Sequence, residues 1–252
     1  MSRWLIMGLG LLLEFSLLVR GVQARLTRRY YFFYLYVTSV IFFTAAMMLA
    51  NWTGPSIYGR WYWPLQLATL VAGYGILLEI LNHVLAPYPG AERFARFSGM
   101  AAFGAIVSFA LLAPLLTPGW SSGSVIEFER DLRSVQAVFI CCLLTVIFYY
   151  GIGMGRNMKG MIMGYGLYIL TSLISLAVRA YAGRSFDQIW DVIQPLSFDI
   201  SLIMWLIALW SYCPNPVPDH MIHLEEDYGA LVAKTRSVMG AIRAYIGKAA
   251  RA

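Results

Sequence analysis

Long apolar stretches, separated by short polar ones, run from the start of the chain to Tyr212. A helix that crosses a bilayer needs roughly 20 mostly apolar residues. Seven stretches meet or approach that length: 4–19, 30–50, 62–85, 97–116, 133–154, 160–181 and 195–212. The first is the shortest, with 16 residues between Arg3 and Arg20. That is about 24 Å of helix at about 1.5 Å per residue, and the flanking arginines can snorkel to the headgroups. Val22-Gln23-Ala24 mimics a signal-peptide cleavage site, but Glu14 within the stretch and Arg20 after it favour a retained transmembrane helix. Pro195 suits the first turn of a helix, so the seventh is expected to start there, leaving 185–194 as an outer loop or interfacial helix.

The pattern changes after Tyr212. Pro214, Pro216 and Pro218 stop the seventh helix, and Asp219 can cap a new one. Leu224, Tyr228, Leu231, Thr235, Val238, Ile242, Tyr245 and Ala249 then follow in alternating steps of four and three, a heptad rhythm. Val232, Met239 and Ile246 widen the stripe. The chain thus divides into a seven-helix transmembrane bundle, 1–213, and a proline-rich linker with an amphipathic or coiled-coil-like helix, 214–252. This helix can lie on a membrane surface, pair with a second copy or dock a partner protein. Leu224, Tyr228, Leu231, Val238, Ile242 and Tyr245 would carry such a contact. The segment is too short for an output domain, so a signal would leave in trans.

Composition supports the solvent this pattern implies. The chain is 60% hydrophobic and 13% charged, against about 25% charged in a soluble domain. Mean hydropathy is +0.65. A soluble enzyme, a disordered chain and a disulfide scaffold are excluded as classes. The expected fold class is an all-α polytopic membrane helix bundle.

The net charge of +6 reads as topology. Arg20, Arg25, Arg28 and Arg29 lie in the first linker, Arg93 and Arg96 in the third, and Arg156 and Lys159 in the fifth. The tail adds Lys234, Arg236, Arg243, Lys248 and Arg251, and the opposite side holds fewer. The positive-inside rule then puts the N-terminus outside and the C-terminus in the cytoplasm. Lipid is the expected partner of this charge, and nucleic acid is not. Cys141, Cys142 and Cys213 are too few for a scaffold and read as free thiols.

Ionisable residues at membrane depth are the candidate site residues. They form two groups. Glu14, Glu79 and His83 form an inner group, in which Glu79 and His83 share a helix face at i and i+4. This group reads as a proton-responsive carboxylate–imidazole pair, as an inner gate, or as a structural pair that locks the third helix against its neighbours. Arg133, Arg179 and Asp199, with Gln194 and Ser197, form an outer group. It reads either as an outward-facing pocket for an anionic or polar small molecule, with the arginines as donors, or as an Arg–Asp clamp between helices.

The inventory is poor for catalysis and cofactors. His83 is the one histidine at membrane depth, too few for a bis-histidine haem or a zinc site of several histidines. The three lysines lie outside the apolar stretches, which removes a retinal Schiff base. No metal, cofactor or catalytic residue is expected, and no P-loop, G-x-S-x-G or H-E-x-x-H motif occurs.

The spans, together with Glu79-Ile-Leu-Asn-His83-Val-Leu-Ala-Pro87-Tyr88 and Glu129-Arg-Asp-Leu-Arg133-Ser-Val-Gln136, resemble a paralogous family of bacterial seven-helix integral membrane proteins of unknown function. The architecture is similar, more loosely, to the seven-helix input modules of bacterial histidine kinases. The resemblance implies a multi-pass protein of the bacterial inner membrane and carries over no catalytic residue. The expected function is a sensor-like or partner-coupled scaffold. A structural subunit of a larger membrane complex and a small-molecule or proton-coupled transporter are the alternatives.

Overall fold

The computed structural model describes residues 2–53, 55–116, 122–182, 186–216 and 222–249. Side chains at 2–5, 7, 50–61, 63, 94, 106, 110–111, 113–127, 179–185, 187–188, 191, 217–225 and 240–252 lie outside that description.

The described chain is all-α. Its helices are α1 (Ser2–Gln23), α2 (Tyr31–Thr53), α3 (Pro55–Leu85), α4 (Pro89–Leu116), α5 (Ser122–Tyr149), α6 (Arg156–Ala182), α7 (Asp187–Ala208) and α8 (Ile222–Ala249). Four of them contain apolar windows long enough to cross a bilayer: Tyr31–Leu49, Pro64–Leu85, Phe128–Tyr149 and Arg156–Val178. A shorter apolar run, Val192–Ala208, lies in α7. Large apolar side chains project from these helices into the surroundings, Phe148 at 77% exposure and Ile207 at 66% among them. In water such a surface would drive aggregation. In hydrocarbon it costs nothing, while the helical ladder satisfies the backbone internally. The chain is membrane-embedded by this reasoning.

α1, α2, α3, α5, α6 and α7 close into a ring, each touching its neighbours in that order and α7 returning to α1. α4 packs on α3 outside the ring, and α8 packs on α4. The lower core is aromatic. Phe33 and Tyr36 of α2 meet the fully buried Trp205 of α7 edge-on at 5.1 and 6.3 Å, and Tyr36 meets Tyr165 of α6 at 5.9 Å. Such edge-to-face pairs add to area burial.

Close packing of α6 on α7 depends on glycine. A Cβ on Gly160 would collide with Ala208, and one on Gly164 with the Trp205 indole. The G-x-x-x-G of α6 is thus an internal seam.

Helix boundaries depart from the sequence expectation at several ends: α3, α4 and α5 begin at Pro55, Pro89 and Ser122, before the expected 62, 97 and 133, and α7 ends at Ala208, not 212. α7 begins at Asp187, so Pro195 lies inside the helix. A proline is tolerated within a membrane helix because neighbouring groups compensate for the lost donor. α5 stops at Tyr149, not 154, because Gly151 turns left-handed at φ 60. The Ile152 amide then bonds back to the Ile147 carbonyl at 2.9 Å, as in a Schellman motif.

The ends of α1, α3, α5 and α7 gather at one end of the bundle. There Arg20 Nε donates to the Trp210 carbonyl at 2.9 Å, and its guanidinium covers the Trp210 ring. Arg29 covers Tyr212 at 3.9 Å. Asn215 donates to the His83 carbonyl at 3.1 Å and accepts from the Gly155 amide at 2.9 Å. Asn157 accepts from the Cys213 amide at 2.8 Å. This end is laced shut by side chain-to-backbone bonds.

Candidate functional site

The other end of the ring holds a cavity of about 370 Å³. It is walled by α1, α2, α3, α5, α6 and α7, the six helices of the ring. Its floor is the aromatic layer of Tyr36, Tyr165 and Phe198, and Phe198 stands edge-on to Trp205 at 6.2 Å. Gly73 makes room at this level, since a Cβ there would collide with the Tyr165 hydroxyl.

Among the described lining residues four are acids or strong bases: Glu14, Glu129, Arg133 and Asp199. Glu129, Arg133 and Gln136 sit at i, i+4 and i+7 of α5 and so share one face. The Arg133 guanidinium binds Glu129 Oε1 through Nη2 at 2.8 Å and Nε at 3.0 Å, and Gln66 of α3 donates to the same oxygen at 2.7 Å. Arg133 also lies over the Tyr168 ring at 5.2 Å. It is 4% exposed, so its charge is met inside the protein. Pairing of this kind is what makes a buried charge tolerable.

Glu14 and Asp199 are the remaining ionisable pair among the described lining residues, on α1 and α7, at 3% and 4% exposure. Both are acids. Asp199 packs against the bare backbone of Gly10, one helical turn from Glu14. Among the described residues, six buried side-chain polar atoms have no hydrogen-bond partner: Glu14 Oε2, Tyr34 Oη, Tyr36 Oη, Gln136 Oε1, Gln194 Oε1 and Asp199 Oδ2. All but Tyr34 belong to residues that line this cavity. A buried polar atom left unbonded costs about 1–3 kcal/mol, so five around one space mark it as a place built to meet polar groups.

The sequence grouping is therefore redrawn. The expected Arg–Asp clamp is not formed by Arg133, whose partner is Glu129 on its own helix, four residues earlier. Arg133, Gln194 and Asp199 do line one cavity. Ser197 does not; its hydroxyl donates to the Gln194 carbonyl at 2.9 Å along α7. The Arg179 side chain lies outside the described residues. With Arg133 committed to Glu129, the expectation of an arginine free to receive an anion loses its basis in that residue.

The inner group separates as well. Glu14 joins the cavity, whereas Glu79 does not line it. The Glu79 carboxylate accepts the Phe33 amide at 2.9 Å and the Phe32 amide at 3.2 Å. These are orphan donors of the first turn of α2, so Glu79 caps that helix from α3 and meets its positive end. His83 Nδ1 contacts the Glu79 backbone carbonyl at 2.9 Å, and its ring lies beside Tyr30 at 5.3 Å. The expected carboxylate–imidazole contact is replaced by these two separate structural contacts.

Sequence reasoning missed Glu129, Gln136, Gln66 and the tyrosines of the wall. The i, i+4, i+7 spacing of Glu129, Arg133 and Gln136 was a signal, because three polar residues on one face of a spanning helix need a polar environment. Tyr36 gave no signal distinct from its aromatic neighbours. Among the described residues, no group of three His, Cys, Asp or Glu side chains is placed to hold a metal.

In α8, Asp227 Oδ2 accepts the Tyr150 hydroxyl at 3.2 Å. Of the residues expected to carry a partner, Leu231 and Val238 are exposed and Tyr228 is half-buried. Leu224, Ile242 and Tyr245 have side chains outside the described residues, as does the expected cap Asp219. No family model, curated protein or solved structure matches the chain.

Proposed function

We propose that this protein is a seven-helix sensor-like or partner-coupled scaffold protein of the bacterial inner membrane, binding a small polar molecule within its bundle. In this reading α1 to α7 all cross the bilayer, the N-terminus is outside and α8 is cytoplasmic. The cavity end would face outward, and the laced end, with its arginines, would face the cytoplasm. α8 would pass the ligand state to a partner protein or to a second copy.

One observation carries the reading: five unbonded polar atoms surround a single cavity of ligand size. Pockets for small molecules occupy roughly 300–1,000 Å³ and hold a few convergent polar groups. A purely structural subunit of a complex has no use for such a space. The aromatic floor favours a blind pocket over a through-passage. A transporter is the second reading, and the two facing carboxylates Glu14 and Asp199 favour it.

The test is thermal unfolding of the protein in nanodiscs against a panel of small polar solutes of every charge. A saturable rise in the unfolding midpoint, without flux of that solute into proteoliposomes, supports the sensor reading. Flux abolished by Asp199→Asn supports transport instead. No shift with any solute removes the pocket as a binding site.

A further inference from the structure

The cavity has a sign. We propose that it receives a primary ammonium group carried on a small apolar body, held between Glu14 and Asp199. This inference rests on the reading of the cavity as a binding site and names the chemistry that the site selects.

Formal charge comes first. Arg133 and Glu129 neutralise each other at 2.8 Å, with Gln66 on the shared oxygen. Among the described residues, what is left in the lining is two carboxyl groups and no lysine. Were both ionised in a space this poorly solvated they would repel, and a cation between them converts that repulsion into two attractions.

Hydrogen-bond demand agrees independently. Of the five unbonded atoms, Glu14 Oε2, Asp199 Oδ2, Gln136 Oε1 and Gln194 Oε1 are acceptors when the acids are ionised. Each glutamine amide nitrogen already donates one of its two hydrogens, Gln136 Nε2 to the Leu70 carbonyl at 3.4 Å and Gln194 Nε2 to Ser172 Oγ at 3.2 Å, which turns the two oxygens to the unbonded side. The cavity therefore asks for donors. An anion brings none. An alkali cation brings charge but no apolar body for the remaining wall. A –NH3+ group brings three donors on one atom.

The wall completes the fit. Tyr36, Phe43, Tyr168 and Phe198 line the same space. Aromatic faces attract an ammonium through their quadrupole and pack against a short hydrocarbon body. Gly10 keeps the acidic side open, since any side chain there would press on Asp199.

The experiment uses the full chain in nanodiscs and three probes of matched shape, phenethylammonium, 2-phenylethanol and phenylacetate, with sodium or potassium alone as a fourth. Saturable binding of phenethylammonium by calorimetry is expected, with phenylacetate and 2-phenylethanol at least about tenfold weaker. Glu14→Gln and Asp199→Asn are each expected to weaken it about tenfold or more, whereas Arg96→Gln on the outer helix α4 leaves it unchanged. The comparison of probes on the unaltered protein stands even if a variant fails to fold. Preference for phenylacetate or the neutral alcohol overturns the inference while leaving a binding pocket in place. So does saturable binding of an inorganic cation alone, or ammonium binding indifferent to both folded carboxylate variants. Absence of binding by every probe overturns it too, and the solute panel then decides whether any pocket function survives.

Discussion

Asp199 leans on Gly10. A Cβ on that glycine would stand 2.8 Å from Asp199 Oδ1, closer than real Cβ atoms come to a neighbouring atom. The acid can sit deep in the ring because α1 offers bare backbone there. Gly10→Val is therefore expected to push the carboxylate aside and destabilise the bundle by about 1–3 kcal/mol. Thermal unfolding in nanodiscs reads this. Gly8→Ala is the control, since its Cβ would meet nothing within 4 Å and the midpoint should hold.

The Glu129–Arg133 pair should behave as a unit. Removing one partner strands a buried charge, so Glu129→Gln or Arg133→Met alone should cost about 3–5 kcal/mol. The double variant should cost clearly less than the sum of the two. A double-mutant cycle on unfolding free energies measures the difference, and additivity would mean the two charges are solvated independently.

Glu79 serves α2 from a distance. Glu79→Ala leaves the Phe32 and Phe33 amides without their acceptor and should cost about 1–3 kcal/mol. Glu79→Gln keeps one carbonyl oxygen and should recover part of that. Hydrogen exchange at these two amides should quicken in the alanine variant, and unchanged protection would dismiss the capping role.

The α6–α7 seam should discriminate between glycines of one helix. Gly160→Leu or Gly164→Leu collides with Ala208 or Trp205, and neither variant should yield folded protein. At Gly166 a Cβ would meet Ile140 at an ordinary 3.8 Å, so Gly166→Ala should be tolerated or slightly stabilising. Size-exclusion profiles with unfolding midpoints separate these outcomes.

Helix existence was legible in the sequence because lipid tolerates so few patterns. Every expected span overlaps an observed helix, from α1 to α7. The errors fall where local rules compete with tertiary context. Pro195 is a good first-turn residue, yet α7 runs through it. Gly151 ends α5 early, and the sequence offered three neighbouring glycines with no means of choosing among them. Within the site, Arg133, Gln194 and Asp199 were legible as polar residues at one depth. Their partners were not. Opposite charges invite pairing across helices, but Arg133 found Glu129 on its own helix, which left Asp199 beside another acid. Depth can be read from position along a span, whereas azimuth around a helix axis needs neighbours.

Asn215 fastens the strand beyond α7 to both the α3 end and the turn before α6. Only five residues lie between Pro216 and Ile222, six Cα steps that reach at most about 20 Å. α8 is thus leashed to the bundle at high local concentration, and a partner docked on it as proposed would be gathered within a few nanometres of this anchor.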